Sequence, residues 1–140
     1  MSVFAALLSG PVGMYVLVRM ILRKEKEVVR LGGGFAGAMF YLCNLVTAQV
    51  FYVPFEAFYW HYGWLPWLVW IWLRYLDGGS RKWLVGLFTI NLLALPQAYV
   101  PTIFVVYAIL LSIVSVGRQW RRVLIGGWVV GVVNTFWLLP

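Results

Sequence analysis

The chain has 140 residues, of which 64% are hydrophobic and only 11% are charged. A typical soluble domain carries about 25% charged residues, and so short a domain has little interior in which to hide apolar side chains. The composition argues against an ordinary soluble domain, and it predicts an all-helical, polytopic membrane protein. The net charge of +7 lies in short clusters between apolar runs, which indicates membrane orientation instead of nucleic-acid binding.

The lysines and arginines predict which side of the membrane each connector occupies. If every basic group is cytoplasmic, an even number of crossings must separate neighbouring groups. With one further crossing at each end of the chain, both ends lie on the extracytoplasmic side. The three groups are Arg19, Arg23, Lys24, Lys26 and Arg30; then Arg74, Arg81 and Lys82; then Arg118, Arg121 and Arg122.

The first pair of groups encloses a predicted helical hairpin. The 43 residues between Arg30 and Arg74 would make about 65 Å of helix, enough to cross a core of about 30 Å twice. We expect Leu31–Val53 to run outward and Trp64–Leu73 to return. The outer turn is punctuated by Pro54, Gly63 and Pro66.

A second predicted hairpin lies in the 35 residues between Lys82 and Arg118. It breaks at Pro96-Gln97-Ala98-Tyr99-Val100-Pro101. Its first arm, Trp83–Leu95, has only 13 residues, whereas a crossing takes about 17 or more. The hairpin therefore either crosses with help from its flanks or is re-entrant.

One further crossing is expected at each end of the chain, over Met1–Met20 and Val123–Leu139. The prediction is about six transmembrane helices in a single transmembrane domain over residues 1–140, with four spans plus a re-entrant hairpin as the alternative. Because the chain begins and stops within spans, we expect a fragment of a larger membrane protein.

Small residues at helical spacing predict where helices pack. They occur as Ser9 and Gly13, as Gly33 and Gly37 followed by Asn44 and Ala48, and as Gly127, Gly131 and Asn134. A buried amide is costly unless it is hydrogen-bonded, so the asparagines should point inward. The packing interpretation competes with a polar path through a transporter. That path would use Asn44, Thr47, Gln49, Asn91 and Asn134.

Residues 51–75 hold twelve of the aromatic side chains, several of them in the predicted outer turn. An aromatic belt at the membrane interface explains them, and a stacking platform for a sugar-like ligand is the functional alternative. Within the turn, Glu56 and His61 are the candidate catalytic residues, since a carboxylate and an imidazole serve as general bases or proton relays. The candidate ligand-binding residues are Trp60, Tyr62, Trp64, Gln97 and Tyr99.

The stretch Tyr41–Val116 and the closing Asn134–Pro140 resemble the membrane region of GT-C superfamily glycosyltransferases, with short aromatic-rich spans, Pro-broken outer turns and brief basic connectors. The resemblance implies transfer of a sugar from a polyprenyl-phosphate donor on the extracytoplasmic face. It also implies an acidic residue in an early outer loop, and Glu56 is the residue available.

No cofactor is evident from the sequence, although a glycosyltransferase would allow a divalent metal. The expected partners are the lipid bilayer, a polyprenyl-phosphate sugar and other membrane helices, with no nucleic acid. Two alternatives to the enzyme stay open, the transmembrane part of a transporter and a non-catalytic membrane subunit.

Overall fold

The computed structural model describes residues 2–44, 47–48, 56–94 and 101–138. The described residues form helices of 14 residues or more and contain no strand. The helices are α1 (Ser2–Ile21), α2 (Glu27–Leu42), α3 (Glu56–Gly78), α4 (Arg81–Ala94), α5 (Pro101–Val114) and α6 (Trp120–Leu138).

The prediction that these helices cross a membrane is wrong. Helices α2, α4 and α5 have 16, 14 and 14 residues, whereas about 20 apolar residues span the hydrocarbon core. Helices α1, α3 and α6 are longer, with 20, 23 and 19 residues. Arg19 lies in the last turn of α1, Arg121 in the first turn of α6, and His61 inside α3. Across the described ranges, no helix combines enough length with enough apolar sequence to cross a membrane. The polytopic membrane fold and the multi-pass localisation in the cell membrane are therefore corrected.

The predicted outer turn around Gly63 and Pro66 is also absent, because α3 runs through both residues. An interior proline costs a helix about 3 kcal/mol. Burial of side chains along α3 offsets that cost, since Tyr59 and Leu68 are both buried. Tertiary packing has overridden the local preference for a turn.

The chain divides into two compact units, Met1–Trp70 and Ile71–Pro140, and α3 passes through the boundary. In the first unit α1 packs against α2. A Cβ added to Gly37 would lie 2.9 Å from Val18 Cγ2, so a side chain there would crowd α1. Ser9 of α1 accepts hydrogen bonds from the Trp67 indole N–H at 3.0 Å, through both its carbonyl and its hydroxyl oxygen.

The second unit is built around the C-terminal half of α3. The side chain of Trp72 is 2% exposed, and its indole N–H donates to Ser115 Oγ at 2.9 Å. Helices α4 and α6 pack together in this unit. The turns into them contain Gly79 and Gly117, whose φ angles of 62° and 76° favour glycine.

Candidate functional site

The C-terminal end of α2 carries a hydrogen-bonded group that we call the tyrosine cluster, formed by Tyr41, Asn44, Thr47 and Tyr62. The two tyrosine rings stack with centroids 4.3 Å apart and an interplanar angle of 9°. The Tyr41 carbonyl accepts from Asn44 Nδ2 at 3.0 Å, from Thr47 Oγ1 at 2.8 Å and from the Tyr62 hydroxyl at 3.3 Å. The last carbonyls of a helix have no partner within it, so the cluster satisfies one of them.

The same group is poorly suited to acid–base chemistry. Burial, and next the neighbouring Tyr62, raise the pKa of the Tyr41 hydroxyl far above its ordinary value, so this hydroxyl stays neutral. It donates to the backbone carbonyl of Tyr62. Asn44 also donates to the Tyr62 hydroxyl at 2.6 Å and accepts from the Thr47 N–H at 3.0 Å. The tyrosine cluster is therefore a helix cap.

The two candidate catalytic residues both lie in α3, five positions apart. Glu56 is the first residue of the helix, and its side chain lies outside the described part of the structure. His61 is 3% exposed, so it is an interior residue and not the solvated outer residue that the sequence suggests. Neighbouring side chains on a helix are three or four positions apart, and a spacing of five does not pair them.

The candidate ligand-binding residues are only partly brought together. Trp60, Tyr62 and Trp64 are half-buried in α3, and the rings of Trp60 and Trp64 meet edge to face with centroids 6.1 Å apart. Tyr62 belongs to the tyrosine cluster. Gln97 and Tyr99 lie outside the described residues.

No protein-family model, no curated protein and no solved structure matches this chain. Any functional assignment therefore depends on the chain's own residues. Within the described ranges, no three histidine, cysteine, aspartate or glutamate residues lie close enough together to hold a metal ion.

The asparagines of the second unit are bonded to nearby groups. Asn91 Nδ2 donates to the Leu87 carbonyl at 2.8 Å, and Asn91 Oδ1 accepts from the Tyr107 hydroxyl at 3.1 Å. Asn134 Nδ2 donates to the Val130 carbonyl at 2.8 Å. The bond between Tyr107 and Asn91 joins α5 to α4, as the packing interpretation predicts, whereas the two bonds to backbone carbonyls lie within α4 and α6. Gln49, another residue of the suggested polar path, lies outside the described residues.

The basic residues before and within the first turn of α6 meet the end of α3. Arg122 Nη1 donates to the carbonyls of Leu76 and Asp77, at 2.9 Å to the latter. Arg118 forms an ion pair with the Asp77 carboxylate. The guanidinium carbon of Arg121, which is exposed, lies 5.7 Å from the centroid of the Trp120 ring.

One side of α6 presents apolar side chains to the exterior, and we call it the α6 outer face. Trp120 and Trp128 are 66% and 70% exposed. Residues four apart on a helix share a side, so these tryptophans form one ridge. The residues of this face are Trp120, Leu124, Ile125, Trp128 and Val132. Gly131 belongs to the same side, since a Cβ there would meet no described atom within 4 Å.

Similar faces recur on other helices, in both units. The exposed large apolar residues include Phe4, Leu8 and Val12 of α1; Phe35 and Met39 of α2; Val85 and Leu92 of α4; and Val105, Ile109 and Ile113 of α5. By contrast, none of the exposed large apolar residues described belongs to α3. The described large apolar side chains of α3 are therefore buried or half-buried, whereas the other helices also expose large apolar side chains.

Proposed function

We propose that this protein is a non-catalytic helical subunit that associates with a lipid surface through the apolar outer faces of its helices. The supporting observation is the exposure of large apolar side chains on α1, α2, α4, α5 and α6. Contiguous exposed apolar surface in a folded protein marks contact with a partner or with lipid. The proposal requires contact with lipid and does not require a crossing.

Lipid explains the distribution of these side chains better than a protein partner does. A protein interface is one patch with an apolar centre and a polar rim. Here exposed apolar residues occur along five helices belonging to both compact units. A lipid surface is fluid, so it can contact any of these faces without the shape complementarity that a protein interface needs.

Co-flotation of the purified chain with phosphatidylcholine vesicles tests the proposal. The variant Trp128→Glu places a charge in the α6 outer face. Loss of a buried large apolar side chain costs about 1.5–3 kcal/mol, so we expect vesicle binding to fall at least tenfold. Gln119→Glu is the matched control, since Gln119 is also exposed and the charge change is the same. The proposal fails if the wild type does not float with vesicles, or if both variants bind like the wild type.

Glycosyl transfer from a lipid-phosphate sugar is a second proposal, supported by the sequence resemblance and by the half-buried Trp60 and Trp64 near the start of α3. Aromatic faces suit a sugar ring, and Glu56 would be the general base. Sugar transfer from a polyprenyl-phosphate donor should disappear in Glu56→Gln and persist in the exposed control Glu25→Gln. Equal transfer by both variants would remove Glu56 as a catalytic residue.

A further inference from the structure

We infer that the α6 outer face, together with the basic residues at the N-terminal end of α6, binds a lipid surface that carries anionic phosphate headgroups. The inference rests on the proposed lipid association and adds the headgroup class. It is carried by the joint placement of arginines and exposed tryptophans on one helix.

The charged residues of the second unit are mostly basic. Residues 71–140 contain six basic residues and one acidic residue. That acid, Asp77, pairs with Arg118, and the Arg122 guanidinium is bonded to backbone carbonyls. Arg121, Arg81 and Lys82 are all exposed. The unit therefore carries a net positive charge that its one carboxylate cannot neutralise.

Two of these charges, Arg121 and Arg122, lie in the first turn of α6. Arg122 lies against the turn between α3 and α4, since a Cβ added to Gly79 would be 2.8 Å from its Nε atom. Helix α4 begins beside this turn, at Arg81. Arg121 lies over the ring of Trp120, the first residue of α6, and the apolar ridge continues from there to Val132.

This order of groups fits the layers of a lipid surface. Arginine favours phosphate because its planar guanidinium can donate two parallel hydrogen bonds. Tryptophan favours the boundary between headgroups and acyl chains, and Leu124 and Val132 suit the acyl region. Trp128 lies between Leu124 and Val132 on the same face, so the whole face suits the boundary between headgroups and acyl chains, and Arg121 at its N-terminal end is available to phosphate.

The test is flotation of the full chain with two kinds of vesicle, phosphatidylcholine alone and phosphatidylcholine mixed with phosphatidylglycerol. We expect tighter binding to the mixed vesicles at about 0.1 M salt. The preference should shrink at about 1 M salt, where the Debye length falls from about 10 Å to about 3 Å. Arg121→Gln should weaken binding to the mixed vesicles about fivefold, which corresponds to the roughly 1 kcal/mol that one basic residue contributes near an anionic surface.

Lys24→Gln is the control, since it removes the same charge from an exposed position in the connector between α1 and α2. A smaller effect of Lys24→Gln than of Arg121→Gln supports a local site. Equal effects would mean that only net charge matters, and the inference would be overturned.

Failure of the inference can be told apart from failure of the proposed function. Equal binding to both kinds of vesicle overturns the anionic preference and leaves lipid association intact, whereas binding to neither overturns both. The inference is also overturned if Trp128→Glu changes the oligomeric state of the chain and leaves vesicle binding unchanged, since the face would then contact a second copy.

Discussion

Adjacent glycines in α6 allow packing to be separated from helix propensity. A Cβ on Gly126 would lie 2.6 Å from Trp72 Cζ3 and 3.1 Å from Tyr75 Cε1, whereas a Cβ on Gly127 would meet no described atom within 4 Å. Replacement of glycine by alanine in a helix interior stabilises by about 1 kcal/mol. Gly127→Ala should therefore raise the free energy of unfolding by about that amount.

Gly126→Ala gains the same propensity but overpacks the interior, which typically costs 1–3 kcal/mol. The two variants should therefore differ by about 1–3 kcal/mol, or roughly 2–12 °C in Tm at 2–4 °C per kcal/mol for a chain of this size. Thermal unfolding followed by circular dichroism measures the difference directly. Equal Tm values, or a more stable Gly126→Ala, would refute the packing of Trp72 against α6.

A second substitution identifies the side chain that causes the clash. Trp72→Phe shortens the ring that faces Gly126, so the cost of Gly126→Ala should be smaller in that background. The double-mutant cycle should give a coupling of about 0.5–3 kcal/mol, as residues in contact do. Strict additivity of the two changes would place the clash elsewhere.

Three further predictions concern polar groups in the two units. Tyr107→Phe leaves the buried Asn91 amide oxygen without its donor, so chemical unfolding should show a loss of about 1–3 kcal/mol. Arg122→Met should lower the free energy of unfolding by about 1–3 kcal/mol, because the Arg122 guanidinium bonds two carbonyls at the end of α3. Arg118→Met breaks an exposed ion pair and should lower it by less than about 1 kcal/mol. Equal losses would contradict this ranking. Burial raises the pKa of Tyr41 and Tyr107, so their contribution to stability should be complete below pH about 10 and be lost as pH rises above it. When the free energy of unfolding is measured against pH, Tyr107→Phe should reduce this loss. An unchanged slope would contradict the burial of Tyr107.

Several local features follow from the sequence because short-range rules decide them. The three groups of basic residues predict connectors between helices. The structure has connectors at these places, between α1 and α2, between α3 and α4, and between α5 and α6. The small residue Gly37 lies against α1, and Asn91 is buried and bonded. A charged side chain is costly to bury, and a buried amide is costly without a hydrogen bond, so few positions suit either residue type.

Other features depend on which face of a helix is buried, and the sequence carries little of that information. Nearly every position of α6 between its arginines and Asn134 is apolar or glycine, so no contrast marks an inner and an outer side. The predicted stripe therefore joined Gly127 and Gly131 to Asn134, whereas Gly126 and Val130 belong to the buried side.

Tyr59, an aromatic residue of the predicted outer turn, is 4% exposed, and the sequence misses this for a related reason. An outer belt and an interior filled with rings need the same residue types, and only tertiary structure separates them. Tyr59, Trp72 and Tyr75 are buried along α3, so these rings pack the interior. The predicted crossings failed because the apolar runs between basic groups do not fold into helices of sufficient length: α2, α4 and α5 have 16, 14 and 14 residues, and a crossing takes about 20.

Quenching of individual tryptophans by brominated lipid tests lipid association most directly. The emission lost in Trp128→Phe reports the exposed residue, and the emission lost in Trp72→Phe reports a residue that is 2% exposed. With vesicles containing brominated phosphatidylcholine, we predict strong quenching of the Trp128 component and weak quenching of the Trp72 component. Equal quenching of the two components, or none of either, would contradict lipid contact through the α6 outer face.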